Sequence, residues 1–595
     1  MQLTWLDWLA IAAYFLVNIL IGLYYRKRAT GSTEDYFVSG RNVSWWLAGT
    51  SMVATTFAAD TPLAVTGLVA SFGIAGNWLW WSMLMSGMLT VFFYARLWRR
   101  SGVITDVEFA EIRYSGKPAA FLRGFRALYL GLPINCIIMG WVNLAMVKIL
   151  MMIFGVTKIE ALFMVFGIMM VTAFISTLSG LWGVLVMDLF QFVLKMGMVI
   201  ILAYFSVSAV GGMGALKEKL HALDAAKAAS SGGSGSILDF TPDLGSPWMP
   251  LITFFVYIAV NWWATWYPGA EPGGGGYIAQ RIFCAKDEKN SILATLWFNV
   301  AHYAIRPWPW ILTALASLVL YPTLVDKESG FIKTIVDPNV FPVALRGIMI
   351  AAFAAAYMST IGTSLNWGAS YLVNDFYQRF LVKGKGSKHY VAASQLATIV
   401  VMLISCVVTY YQESIANAWK FMIAIGAGTG GVFILRWFWW RINAWSEVSA
   451  MLASFIVSLY LQLYLKMNND NPRDFAWIVI ITVSATTLTW LAATFLTAPE
   501  KKEVLLAFYR RVHPSATMWG PIAREAADIP PRHDGLYNLL DWVAGCVFVY
   551  LTLFGMGKVI FGEPLTGCVL LALGFAAGYV IYWDLNRRGW KTVLE

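Results

Sequence analysis

An all-α protein that crosses a membrane many times is the fold class this sequence predicts, and three observations carry it. Of 595 residues, 59% are hydrophobic and only 13% charged, with a mean hydropathy of +0.64; a soluble domain carries about 25% charge. Apolar runs of bilayer-spanning length, ~20 residues, recur along nearly the whole chain. The basic residues behind a net charge of +10 concentrate in alternate loops, which is the pattern of cytoplasmic loops rather than of a nucleic-acid-binding face.

Taken in order, the first element is MQLTWLDWLAIAAYFLVNILIGLYY, with no basic residue before the apolar run and Arg26, Lys27 and Arg28 after it. That is the wrong polarity for a cleaved signal peptide and predicts a retained helix with its N-terminus outside. Membrane helices follow at roughly 43–72, 76–97, 120–152, 158–179, 183–210, 248–280, 291–320, 343–376, 389–411, 416–438, 444–466, 474–498, 540–560 and 564–585. About fifteen spans place the C-terminus inside a plasma membrane. The domain reading is residues 1–42 as an extra helix and inner loop, 43–210 as a first five-helix group, 211–247 as a flexible extracellular loop, 248–438 as a second group and 439–595 as C-terminal helices with a cytoplasmic loop over 499–538.

Two of these helices cannot be continuous. SMVATTFAADTPLAVTG carries Asp60 and Pro62 in mid-span; a carboxylate there costs at least ~2.5 kcal/mol, and the proline removes a helical hydrogen bond. NWWATWYPGAEPGGGGYIAQR places Glu271 between two prolines, followed by Gly273–Gly276. Broken membrane helices persist where the freed backbone lines a cavity, and a pair of them at matching places in two halves points to a transporter site. An odd number of helices per group makes the halves inverted.

Ala356, Ser359, Thr360 and Thr363 fall at i, i+3, i+4 and i+7 and share one helix face. Small hydroxyl residues there serve either helix packing or the oxygen ligation of a small hard cation. Asp188, in STLSGLWGVLVMDLFQFVL, needs a partner: a cation, Arg306, a hydroxyl or a proton. Trp80 and Trp266 belong to aromatic clusters around the predicted cavity. Asp60 and Glu271 suit an organic cation held by charge and cation–π contact, or a sugar's hydroxyls; Asp60 could equally pair internally with Arg306 or His302. An enzyme is disfavoured by five scattered histidines and no HExxH pairing, and the five cysteines form no CxxC.

Five segments in order, EDYFVSGRNVSWWLAGTSMVA, ITDVEFAEIRYSG, SGLWGVLVMDLFQ, YIAQR and STIGTSLNWGASYLVNDFY, resemble the sodium/solute symporter family over roughly residues 1–470. The resemblance implies a leucine-transporter-like core of five plus five inverted helices, one extra N-terminal helix and additional C-terminal helices. It implies a sodium site made by the carbonyls of Ala54, Phe57 and Ala356 with the hydroxyls of Ser359 and Thr360. A second sodium site would use Asp188 and Thr363, although the family's neighbouring hydroxyl position is Gly362 here. Thr61 falls at a sugar-contact position, whereas Asp60 replaces a small residue and PGAEPGGGG departs from the family's aromatic gate. The function this predicts is sodium-coupled symport of a small polar solute, a sugar or an organic cation, by alternating access. Asp60, Thr61, Trp80, Trp266, Glu271 and Arg306 are the expected solute contacts. The alternative is a sodium-independent or proton-coupled transporter or channel of the same fold. Expected partners are the solute, sodium and the lipid bilayer, with no nucleic acid, in a monomer or weak homo-oligomer.

Overall fold

A computed structural model describes residues 3–25, 39–103, 105–231, 235–265 and 272–590. Among them the chain is helical, with one isolated β-bridge between Val43 and Ala285. Ten helices are long and apolar enough to cross a bilayer singly, and two bent pairs bring the number to twelve. The spans expected at 158–179 and 183–210 both fall within the helix Lys158–Val210, of which Trp182–Val210 is one of the ten. Among the described residues, the 248–280 segment contains the shorter apolar helix Leu251–Ala264 and the start of the helix Gly276–Cys284.

Helix α1 (Trp5–Tyr25) packs on the outside of the core and is followed by the first broken pair, α2 (Trp45–Thr56) and α3 (Asp60–Phe72). These meet at 61°. The break lies at Phe57–Ala59, before the position expected from Pro62. Pro62 instead occupies the first turn of α3, where a missing N–H costs nothing. Asp60 opens that turn, and its carboxylate faces the positive end of the α3 dipole. Next come α4 (Ile74–Ser101), α5 (Gly116–Phe154) and α6 (Lys158–Val210).

Residues 212–231, expected as a flexible loop, form helix α7 (Gly212–Ser231). Leucine, lysine, glutamate and alanine in KEKLHALDAAKAA give this stretch strong helix propensity, which outweighs the small residues after it. Helix α8 (Leu251–Ala264) then leads toward the second break, whose far side is α9 (Gly276–Cys284). Gly273, Gly274 and Gly276 have φ of 85°, 73° and 54°, values that only glycine adopts freely. The Trp98 indole donates to the Gly273 carbonyl at 2.6 Å, so the non-helical backbone is satisfied inside the protein.

Helices α10 (Glu288–Asn299) and α11 (Pro307–Leu320) flank a π-turn, Val300–Ile305. They are followed by α12 (Val343–Leu381) and α13 (Ser387–Tyr411). A third break, absent from the sequence reading, divides 416–438 into α14 (Ile415–Gly426) and α15 (Thr429–Phe438), bent by 53°. Gly428 at φ 88° makes the turn, and its N–H donates to the Ala264 carbonyl at 2.6 Å. The chain ends with α16 (Ala444–Tyr464), α17 (Pro472–Leu496) and the hairpin of α19 (Gly535–Ile560) and α20 (Pro564–Arg588). In the loop before that hairpin, α18 (Lys502–Val512) packs Phe508 on Trp519, and the Trp519 indole donates to the Trp437 carbonyl at 2.9 Å. The 499–538 loop is thus anchored to the bundle.

Candidate functional site

The break between α2 and α3 opens on a cavity at the centre of the bundle. Thr55, Thr56, Ala58, Asp60 and Thr61 line one side of it, and Gly275, Gly276 and Tyr277 of the second break line another. Trp80, Trp141, Trp367 and Trp419 supply indole walls, and Thr360, Thr363 and Ser364 bring the hydroxyl face of α12. The π-turn before α11 contributes His302 and Tyr303, with Arg306 just after it; such extra-wide turns often re-aim side chains at functional sites.

Asp60 is 3% exposed, and its Oδ1 has no hydrogen-bond partner among the described residues. The nearest guanidinium, Arg306, is engaged elsewhere: it donates to Thr56 Oγ1 at 3.0 Å and to the Val53 carbonyl at 3.3 Å. A further Arg306 nitrogen lies 3.3 Å from His302 Nε2. Arginine only donates, so His302 accepts at Nε2 and carries its proton on Nδ1, 3.2 Å from Thr56 Oγ1. The guanidinium also lies over the Trp310 ring at 5.1 Å. Trp80 stacks on Tyr303 and is fixed by its indole N–H donating to Asn77 at 3.0 Å.

Of the expected solute contacts, Asp60, Thr61, Trp80 and Arg306 therefore share one cavity. Trp266 and Glu271 lie outside the described residues.

The carbonyl end of α2 has a complete set of partners. Val53 accepts from the Phe57 N–H at 2.9 Å and from Arg306. Thr55 accepts from Thr360 Oγ1 at 3.0 Å, and Thr56 from Thr61 Oγ1 at 3.4 Å. The last two, Ala54 and Phe57, both accept from Lys195 Nζ of α6, at 2.9 and 3.1 Å. The residues expected around sodium thus gather at one place, but the ammonium of Lys195 stands among them. Thr360 also reaches the Ala356 carbonyl at 3.3 Å. Ser359 donates to Asp188 Oδ1 at 2.8 Å and Ser51 to Oδ2 at 2.6 Å. Thr363 donates to the Ser359 carbonyl at 3.0 Å and lines the cavity instead of meeting Asp188.

The cation beside Asp188 is Arg281, at 3.8 Å, and not Arg306. Arg281 belongs to YIAQR and reads from sequence as an inner-loop residue, yet it is 1% exposed beneath the broken helix. Its charge is held in by Asp188 and by the hydroxyls of Ser51 and Thr55, at 3.3 and 3.4 Å.

Sequence reasoning overlooked Lys195. The signal was present: a lysine within the apolar run FQFVLKMGMV, seven residues after Asp188 and so on the same face of α6. A lysine at mid-span costs ~2.5–3.5 kcal/mol unless it has partners, which marks it for function by default.

The family model for the sodium:solute symporter family matches residues 36–457. A sodium/glucose cotransporter of Vibrio parahaemolyticus is 25% identical over 486 residues, covering 77% of this chain and 86% of the relative. Sodium/myo-inositol cotransporter 2 of Homo sapiens is 22% identical, covering 85% of this chain and 79% of the relative. Among solved structures, a Na+-coupled sialic acid symporter in a substrate-bound outward-open state superposes with a TM-score of 0.62 at 20% identity. The match covers 84% of this chain and all of that one (100%), and shows a shared leucine-transporter-like fold. With the family model spanning most of its length, this chain belongs to the sodium:solute symporter family.

Proposed function

We propose that the chain is a secondary symporter for a neutral polyhydroxylated solute of hexose or cyclitol size, with sodium, the coupling ion of its family, as the driving ion. The observation that carries the solute class is the balance of the cavity. Among the described residues it holds one carboxylate with an unpartnered oxygen, one guanidinium, threonine hydroxyls and several flat indoles. A polyol ring suits these groups: its hydroxyls donate to Asp60 and to the Thr61 oxygen, and its C–H faces lie on Trp80 or Trp419. An organic cation fits less well, because Arg306 in the same cavity offsets the attraction of Asp60. Relatives named for glucose and myo-inositol transport support the same class. The breaks at Phe57 and Gly428 supply bending points for alternating exposure of the cavity. The excess of basic residues in alternate loops supports an orientation with the N-terminus outside and the C-terminus inside a plasma membrane.

The test is uptake of labelled glucose, myo-inositol and choline into proteoliposomes under an inward sodium gradient. The expected result is sodium-stimulated uptake of a neutral polyol, reduced at least about tenfold by Asp60→Asn, the loss of roughly one charge-assisted hydrogen bond. Uptake of choline alone would overturn the solute reading. Coupling without sodium is the second reading, and one observation favours it: Lys195 on the carbonyls where the resemblance places the ion.

A further inference from the structure

The carbonyl end of a membrane half-helix attracts a cation, since its unpaired C=O groups carry the negative end of the dipole. In this chain the last carbonyls of α2 face the hydroxyl helix α12 across the Thr360–Thr55 contact, the arrangement expected to hold a mobile ion. We infer that the cation of this locus is built into the chain: Lys195 Nζ takes the place of sodium on Ala54 and Phe57, so the locus admits no sodium while Lys195 is present.

Three observations support this. The first is space. An ion touching both carbonyls would fall where Nζ already sits, 2.9 and 3.1 Å from the two oxygens. The side chain is 1% exposed, and its ammonium also lies 5.4 Å from the centre of the Phe57 ring, so packing fixes it there.

The second is charge. Lys195 and Arg281 both face Asp188, the one carboxylate set against them among the described residues, while Arg306, on the neighbouring Val53 carbonyl, is set against Asp60. Positive charge already exceeds negative in a dry interior, and a further cation would have no compensating group.

The third is the direction of the hydroxyls. Ser359 points its proton at Asp188, and Thr360 points its proton at the Thr55 carbonyl. Both donate within the protein, which leaves their oxygen lone pairs as the ligands that would serve an ion once Lys195 is removed. A covalent tether also differs from an ion in what it joins. It ties α2 to α6 through a side chain that cannot leave, whereas a mobile ion would tie α2 to α12 and depart.

The inference rests on the symporter reading only for the significance of the locus, so its test is a binding measurement that needs no solute and no transport. Purified full-length protein and its Lys195→Ala variant are titrated with radioactive sodium against a potassium background, and bound sodium per chain is counted at saturation. The expected result is one additional saturable sodium in Lys195→Ala, lost again when Ser359→Ala and Thr360→Val are added. Equal sodium binding by wild type and Lys195→Ala would overturn the inference. Should Lys195→Ala not fold, Ser359→Ala with Thr360→Val in the presence of Lys195 decides the matter. Unchanged sodium binding supports a locus closed to sodium, and loss of one sodium refutes it. Failure of polyol uptake in proteoliposomes leaves both readings of the binding data intact.

Discussion

Asp188→Asn is the most direct way to ask whether the cluster under the first broken helix is held together by charge. The substitution keeps shape and length, removes the one negative charge, and leaves Arg281 at 3.8 Å and Lys195 on the same helix face. Deleting one partner of a buried ion pair costs ~3–5 kcal/mol, because the remaining charge loses its compensation without regaining water. The hydroxyls of Ser51 and Ser359, at 2.6 and 2.8 Å, lose a charged acceptor as well. That loss overlaps with the first and is not added to it. A domain is stable by about 5–15 kcal/mol, so Asp188→Asn is expected to consume a large share. The assay is thermal unfolding in detergent of Asp188→Asn, Lys195→Met and the double variant, read as a double-mutant cycle. Removing Lys195 alone takes the side-chain donor from the Phe57 carbonyl and leaves Ala54 only the Phe57 N–H at 3.2 Å, which costs ~1–3 kcal/mol. In the double variant the surplus positive charge is smaller, so the combined loss should fall short of the sum by at least ~1 kcal/mol. Strict additivity, or an Asp188→Asn protein as stable as wild type, would refute the charge account.

Two other predictions concern packing and pH. At Gly430 an added Cβ would stand 2.0 Å from the Trp263 carbonyl, whereas at Gly431 its nearest neighbour is Trp490 at 3.7 Å. Gly430→Ala should therefore force α8 and α15 apart and lower stability by ~1–3 kcal/mol, and Gly431→Ala should not, which paired thermal-unfolding curves will show. In the 499–538 loop, burial, with Arg532 and Arg100 alongside, holds the His513 imidazole below its ordinary 6.5, although the Pro530 carbonyl at 2.9 Å and Asp534 oppose the shift. The unfolded imidazole takes up its proton first, so the loop's stability is complete above pH 6.5 and is lost as pH falls through the lower folded value. Measured against the intrinsic rate, which itself falls with pH, hydrogen-exchange protection over residues 513–532 should decrease between pH 7 and 5, and His513→Gln should remove that decrease; the same decrease in both would rule His513 out.

Much of the architecture was legible because the bilayer imposes length and apolarity on each span. Asp60 and the run Gly273–Gly276 stood out because polar and helix-breaking residues in such spans need a reason. What was not legible has three physical origins. The break at Phe57 lies before Pro62 because a proline is harmless in the first turn of α3, so the residue that signals a break is not the one that bends. The bend at Gly428 carries no proline or charge; it is made by one positive-φ glycine and completed by the Ala264 carbonyl far away in sequence. Arg281 reads as a loop cation because charge patterning counts residues near a helix end, while the fold draws that end beneath α2 to meet Asp188.

Lys195 is the instructive case, since accounting for backbone groups locates it where motif comparison does not. A half-helix ending inside a bilayer exposes four carbonyls with no intrahelical donor, and each must be satisfied. Thr360 and Thr61 supply two donors at the end of α2, and Phe57 N–H with Arg306 serves Val53. Ala54 shares the Phe57 N–H at 3.2 Å, Phe57 has no such backbone donor, and the hydroxyl face has no further proton to give either. Either a bound cation or a basic side chain must complete the set. A lysine in an apolar helix, two turns beyond an aspartate that helps to offset its charge, is the residue able to do so.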